Sequence, residues 1–198
     1  YVRSILGGDN SAVAWLMAAS GGGSMLAALL LPRVLTWVQE RTAMIGGAVL
    51  LALGLAAAAT LPGFAVAAGL WLLLGIGSSL VQTPGGRLLR RSSQSEDRPA
   101  LFAAQFALSH ACWLLTYPAA GWLGATFGLA VTFAVMVAVV LAAAGLALTL
   151  WPRADPAEIM HTHEPLEHDH LHVHDEHHQH EHEGWEGPEP HRHSHRHA

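Results

Sequence analysis

Five long runs without a charged side chain constrain the fold more than any other feature. Asp, Glu, Lys and Arg are absent from residues 12–31, 43–61, 64–83, 100–125 and 129–151. Each run has at least 19 residues, and about 20 residues of α-helix cross a hydrocarbon layer of about 30 Å. Soluble helices keep a polar face, which these runs lack, and the alternating segments of membrane β-barrels are absent. The sequence therefore predicts an all-α transmembrane bundle of five spans.

Charge divides the chain near Pro152. Residues 1–153 carry eight arginines and four acids, whereas residues 154–198 carry two arginines and eleven acids. The second part is also poor in apolar residues, so it cannot bury a core and is expected to be disordered. We therefore predict two domains, a transmembrane bundle over 1–153 and a disordered tail over 154–198.

The arginines predict the orientation of the bundle. The links 32–42 and 84–99 carry two and four arginines, whereas the links 62–63 and 126–128 carry no arginine or lysine. Cytoplasmic links are enriched in Arg and Lys. We therefore expect a multi-pass protein of the cell (inner) membrane whose C-terminus lies in the cytoplasm.

The fourth run carries two polar or aromatic stripes at helical spacing. One stripe contains Gln105, Ser109, Cys112 and Thr116, and the other contains Phe106, His110, Trp113 and Tyr117. Successive residues of a helix are about 100° apart, so both stripes cannot face the same surroundings. We expect one stripe to line an aqueous cavity and the other to pack on neighbouring helices.

His110 is the one Asp, Glu, His, Lys or Arg residue within the five runs. An ionisable group inside a membrane is a functional candidate, and a histidine can relay protons or bind a substrate near neutral pH. The alternative is a neutral histidine that is hydrogen-bonded between helices. The predicted transport pathway comprises His110, Gln105, Ser109, Thr116, Tyr117 and Gln82.

The tail is predicted to bind metal. Its histidines are His161, His163, His168, His170, His172, His174, His177, His178, His180, His182, His191, His193, His195 and His197. Many recur as His-x-His, which places them on one side of an extended chain, and His170, His174, His178 and His182 would align on a helix. Imidazoles with carboxylates suit nickel, cobalt, zinc or copper(II). Neutral imidazoles are required, so binding should fail in acid. No cofactor is required, and metal bound by the tail need not be the cargo.

Other classes of function find little support. No catalytic constellation or nucleotide-binding loop is present, so we do not expect an enzyme. The arginines of the first 153 residues are explained by topology and the tail is acidic, so nucleic-acid binding is not expected either.

The five runs, the two arginine-bearing links between them and the cytoplasmic C-terminus resemble the C-terminal half of a major facilitator superfamily transporter. The five runs would be its eighth to twelfth spans. The stretch PGGRLLRRSSQSEDRPALFAAQFALSHACWLLTYPAAGWLG (84–124), followed by a His-rich C-terminus, is similar to the nickel-resistance efflux permeases of that superfamily. This resemblance implies proton-driven export of nickel, with cobalt as a second cargo. It also implies an N-terminal half as a partner, which the start at Tyr1 suggests is missing.

Three readings stay open at this point. The first is a proton-coupled transition-metal exporter in the lipid bilayer whose tail collects metal. The second is an exporter of small organic molecules with an incidental or regulatory tail, which the aromatic stripe and the absence of acids from the runs favour. The third is a membrane-anchored metal buffer or sensor that transports nothing.

Overall fold

The computed structural model describes residues 1–152, 166–172 and 191–197. The chain divides into two compact units, Tyr1–Asp155 and Pro156–Ala198. Each unit is described by itself below.

The first unit is built of helices alone in its described residues. They are α1 Asn10–Val34, α2 Glu40–Ala58, α3 Phe64–Gln82, α4 Gly85–Arg91, α5 Arg98–Phe127 and α6 Leu129–Leu150. Five segments are long and apolar enough to cross a membrane, with α3 and α4 forming one of them, Phe64–Arg91. The predicted all-α bundle of five spans is confirmed.

Helix ends differ from the predicted runs in two ways. Helices α1, α2 and α5 extend past the apolar runs and include Arg33, Glu40 and Arg98. A run ends at its first charge, whereas a helix continues while its backbone bonds are made. The short helix α4 was not predicted, because seven residues, GGRLLRR, are too few to show a period.

Helix α3 packs on α1 through glycines that let two backbones touch. A Cβ atom at Gly75 would overlap the backbone carbonyl of Ser20, and one at Gly23 would overlap that of Leu72. At the same crossing, Ser24 Oγ donates a hydrogen bond of 2.9 Å to the carbonyl oxygen of Gly75. In lipid, where apolar surface gives little driving force between helices, small residues allow such close van der Waals packing.

The other contacts place α5 at the side of the bundle. Helix α3 also packs on α2, α2 packs on α6, and α5 packs on α6 and α4. Helix α5 has no buried residue, and Leu114 and Leu115 are 76% and 73% exposed. Proteins in water rarely expose a continuous apolar surface of this kind. Such a surface fits a lipid bilayer.

The start of the chain packs on one end of the bundle. The hydroxyl of Tyr1 donates to the carbonyl oxygen of Pro62, in the link between α2 and α3. Its ring stacks on Trp71, with centroids 5.6 Å apart, and meets Phe133 edge-on at 6.3 Å. Partial burial raises the pKa of the Tyr1 hydroxyl. The first nine residues, the α2–α3 link and the first turns of α6 therefore share one end.

Two segments of the second unit form an antiparallel ladder. Strand β1 is Leu166–His172 and strand β2 is His191–His197, and His168 pairs with His195, His170 with His193 and His172 with His191. In such a ladder each strand satisfies backbone hydrogen bonds of the other. The disorder predicted for the tail as a whole stays a prediction. His170 is thus in the extended register rather than the helical one. The remaining predicted ligands, His161, His163, His174, His177, His178, His180 and His182, lie outside the described residues.

Candidate functional site

A cavity of about 430 Å³ lies where α2, α3, α4 and α5 meet. Its lining residues are Met44, Val81, Gln82, Gly85, Leu88, Leu89, Gln105 and Ser109. Three of the six predicted pathway residues, Gln82, Gln105 and Ser109, are therefore brought together. Gln82 is the last residue of α3, whereas Gln105 and Ser109 are one turn apart on α5. The polar side chains thus come from two different helices.

The polar groups on α5 are linked to one another. Ser109 Oγ donates to the carbonyl oxygen of Gln105 at 2.7 Å, and Gln105 Nε2 donates to Ser109 Oγ at 3.4 Å. The side-chain amide oxygens of Gln105 and Gln82 and the thioether of Met44 are hydrogen-bond acceptors without charge. Such a wall can hydrogen-bond a polar solute or give weak ligands to a cation.

An ion-pair cluster ties α4, which lines this cavity, to the start of α2. Glu40 accepts from Arg87 Nε at 3.0 Å and lies 3.6 Å from Arg91 Nη1. The Glu40 side chain is only 12% exposed, and its position in the first turn of α2 also favours a negative charge. Glu40 was not predicted as a functional residue. A signal was present, since Glu40 is the one acid within the arginine-bearing link 32–42.

Arg41 joins the same end of the bundle to the end of α6. Its Nε donates to the carbonyl oxygen of Trp151 and its Nη2 donates to that of Leu148, both at 3.2 Å. Carbonyls at a helix C-terminus have no helical partner, and a cation there also complements the helix dipole. The two arginine-bearing links and the end of α6 therefore lie together, opposite the end that carries Tyr1.

His110 lies on the exposed side of α5 and is not among the residues that line the cavity. Its Nδ1 is 2.8 Å from the carbonyl oxygen of Phe106, one turn earlier. A carbonyl can only accept, so Nδ1 carries the proton, and in the neutral ring Nε2 keeps its lone pair. Metal-binding histidines commonly use this arrangement, with one ring nitrogen on a carbonyl and the other on the ion.

The second stripe of α5 forms a continuous aromatic row. The ring of His110 is 3.8 Å from that of Phe106 and 4.8 Å from that of Trp113, and Trp113 stacks on Tyr117 at 6.4 Å. Phe106 and Tyr117 are 64% and 69% exposed. One of the two stripes was expected to line a cavity, and part of the polar stripe does so, whereas this aromatic stripe is largely exposed in the described residues.

The remaining predicted residues are held by their own helix. Thr116 Oγ1 donates to the carbonyl oxygen of Cys112 at 2.9 Å, and both residues are exposed. Thr116 and Tyr117, like His110, do not line the cavity. Of the polar stripe, Gln105 and Ser109 line the cavity and Cys112 and Thr116 do not.

Charged metal ligands are sparse in the membrane unit. Within residues 1–152, no group of three or more His, Cys, Asp or Glu side chains lies close enough to hold one ion. The cavity offers neutral oxygens and a thioether instead.

Comparison with known families identifies one match. A family model described as Major Facilitator Superfamily matches residues 1–178, which covers the whole helical unit and part of the tail. Searches of curated proteins and of solved structures gave no match.

Proposed function

The chain belongs to the major facilitator superfamily of secondary transporters, and from that premise we propose that it exports a divalent transition metal in exchange for protons. Nickel is the first cargo proposed and cobalt the second. The same membership makes a membrane-anchored metal buffer or sensor that transports nothing the weakest of the three readings.

One observation carries the choice of cargo, namely the tail that follows the helical unit. Fourteen of the fifteen histidines lie within residues 161–197, and imidazole nitrogens are good ligands for nickel, cobalt, zinc and copper(II). A cytoplasmic tail of this composition can raise the local concentration of metal at the mouth of a transporter, because tethering makes later encounters intramolecular. The tail is thus proposed to collect metal and to deliver it to the bundle.

The proposed pathway begins at the cavity bounded by Gln82, Gln105 and Ser109. Neutral amide and hydroxyl ligands bind a divalent cation weakly, and weak binding permits rapid release to the other side. His110 is proposed to take part through Nε2, either as a metal ligand or as the group that exchanges a proton. Its role accounts for the coupling to protons.

The proposed orientation puts the arginine-bearing end of the bundle in the cytoplasm. Glu40, Arg41, Arg87 and Arg91 meet at that end, together with the end of α6. Excess arginine marks the cytoplasmic side of inner-membrane proteins. In this orientation the Tyr1 end of the bundle faces outwards.

Metal accumulation in cells that lack their own nickel exporter tests this proposal. The gene for this protein should lower cellular nickel or cobalt, deletion of residues 157–198 should weaken the effect without abolishing it, and His110→Ala should abolish it at normal expression. Because His110 contacts the Phe106 carbonyl, His110→Gln serves as a second variant that keeps a polar side chain. Unchanged metal levels at normal expression would count against metal as the cargo.

A second candidate function is export of small organic molecules. The observation in its favour is the exposed aromatic row on α5, since aromatic faces bind apolar and cationic organic groups. If the same cells export a panel of organic toxicants and leave nickel unchanged, this reading replaces the first.

A further inference from the structure

The register of the tail ladder places its histidines together on one face. His168, His170 and His172 alternate along β1, and their partners across the ladder are His195, His193 and His191. Alternate residues of a strand lie on the same face, and directly opposed residues share it. Leu166 and His197 complete this face, which therefore carries seven histidines and one leucine.

The opposite face carries the fixed charges. Glu167 is paired with Arg196, Asp169 with Ser194, and Leu171 with Arg192. Both arginines of the tail are therefore on this second face, away from the histidines. The Glu167–Arg196 pair also favours the observed register, because opposite charges directly across a ladder stabilise it.

We propose that this juxtaposition of histidine positions, two adjacent cross-strand pairs at a time, is a site for one divalent transition-metal ion that holds β1 and β2 together. Directly opposed positions are about 5 Å apart, and positions two residues apart along a strand are about 7 Å apart. Two adjacent pairs thus bring four histidine positions within about 7–9 Å of one another, which is compact enough for one ion.

Metal is proposed to supply the main stabilisation of the ladder. An isolated pair of strands is marginal in water, and a metal ion that binds only the paired form adds its binding energy to folding. The two possible sites use His168/His195 with His170/His193, or His170/His193 with His172/His191. His170 and His193 belong to both, so this central pair should matter most.

This inference rests on the metal binding proposed for the tail, although it does not require that metal be the cargo. The composition of the tail predicts only that its histidines bind metal, without saying which ones act together. The ladder assigns the metal to particular histidine positions on two paired strands. The proposed site also acts as a switch, since metal would bring two segments together that are distant in sequence.

Distance measurements between spin labels on the whole protein test the proposal, with zinc as the probe because it is diamagnetic. Asp169→Cys and Ser194→Cys, in a Cys112→Ser background, place labels on directly paired positions of the face opposite the histidines. Zinc should convert a broad distribution of distances into a single short one. Labels at Glu167→Cys and Arg192→Cys should stay farther apart, because these positions are four residues out of register and are therefore offset by about 13 Å along the strands.

Two histidine variants make the test specific. The pair His170→Ala/His193→Ala should lose the zinc-induced shortening, whereas His161→Ala/His163→Ala, which removes a His-x-His unit outside the strands, should keep it. Zinc binding without shortening, or equal effects of the two variants, would overturn the ladder site while leaving metal binding by the tail intact. No zinc binding at all would overturn both. Nickel export is measured separately, so loss of export alone would not affect the ladder.

Discussion

Ser24 on α1 donates its hydroxyl hydrogen to the backbone carbonyl of Gly75 on α3, at 2.9 Å, where a Cβ atom on Gly75 would overlap Ser20. This contact shows how α1 and α3 pack against each other in lipid. Backbones approach closely at glycine, and a small hydroxyl joins the helices across the gap. The other glycine of the crossing, Gly23, has the same role against Leu72.

Gly75→Ala is expected to destabilise the bundle by about 1–3 kcal/mol, because the added methyl group forces α1 and α3 apart. Gly69→Ala on the same helix is the matched control, since its Cβ would meet nothing within 4 Å. Thermal unfolding in detergent should show a lower midpoint for the first variant and an unchanged or higher one for the second. Equal midpoints would contradict the close packing of α1 and α3.

Glu40→Gln is expected to loosen α4 from α2, because it removes the charge that holds Arg87 and Arg91. Loss of the charged hydrogen bonds from these two arginines costs about 1–3 kcal/mol of the free energy of unfolding. The midpoint of thermal unfolding should fall by about 2–4 °C for each kcal/mol lost. The exposed Glu96 gives the control variant Glu96→Gln. If both variants melt alike, the cluster does not stabilise this end of the bundle.

Gln105→Leu and Gln82→Leu should each weaken transport, since each removes an amide from the wall of the cavity. One lost hydrogen bond is worth about 0.5–1.5 kcal/mol, so the half-saturating substrate concentration should rise about two- to tenfold. Gln94→Leu changes an exposed glutamine in the turn after α4 and serves as the control. Normal kinetics for both cavity variants at normal expression would place the pathway elsewhere.

The start of α1 should depend on pH through Asp9. Its carboxylate accepts from Ser11 Oγ at 2.7 Å and from the backbone N–H of Ala12 at 3.0 Å, and these bonds lower the pKa of Asp9. A lowered pKa in the folded state means that the stabilisation is complete above the unfolded value of about 3.9 and is lost as the pH falls through the folded value.

Hydrogen exchange at Ala12, corrected for the intrinsic rate, should therefore show reduced protection in acid. Asp9→Asn keeps an oxygen acceptor that does not titrate in this range, so its protection should be independent of pH. Parallel behaviour of the two proteins would show that the Asp9 carboxylate does not control this helix end.

The sequence was informative where one local pattern decides the structure. Runs such as 64–83 and 129–151 predict helices because length and lack of charge suffice. The row Phe106, His110, Trp113 and Tyr117 also follows from helical spacing alone. Helix ends were less predictable, since Glu40 is charged and still begins α2.

Features that join distant residues could not be predicted in this way. The meeting of Gln82 with Gln105 depends on how α3 and α5 are placed by α4, a helix too short to recognise. The pairing of His170 with His193 depends on a register between segments that are far apart in sequence. His-x-His repeats indicate extended strands with histidines on one face, and they do not determine which strand is the partner.

The central claim is that the protein exports a transition metal in exchange for protons. Nickel uptake by everted membrane vesicles tests this claim most directly. With an imposed gradient that is acid inside, vesicles containing the protein should accumulate nickel and lose part of the gradient as nickel enters. Vesicles with the His110→Ala variant should do neither. Nickel uptake equal to that of vesicles without the protein, while the same gradient drives uptake of an aromatic organic cation, would contradict the claim.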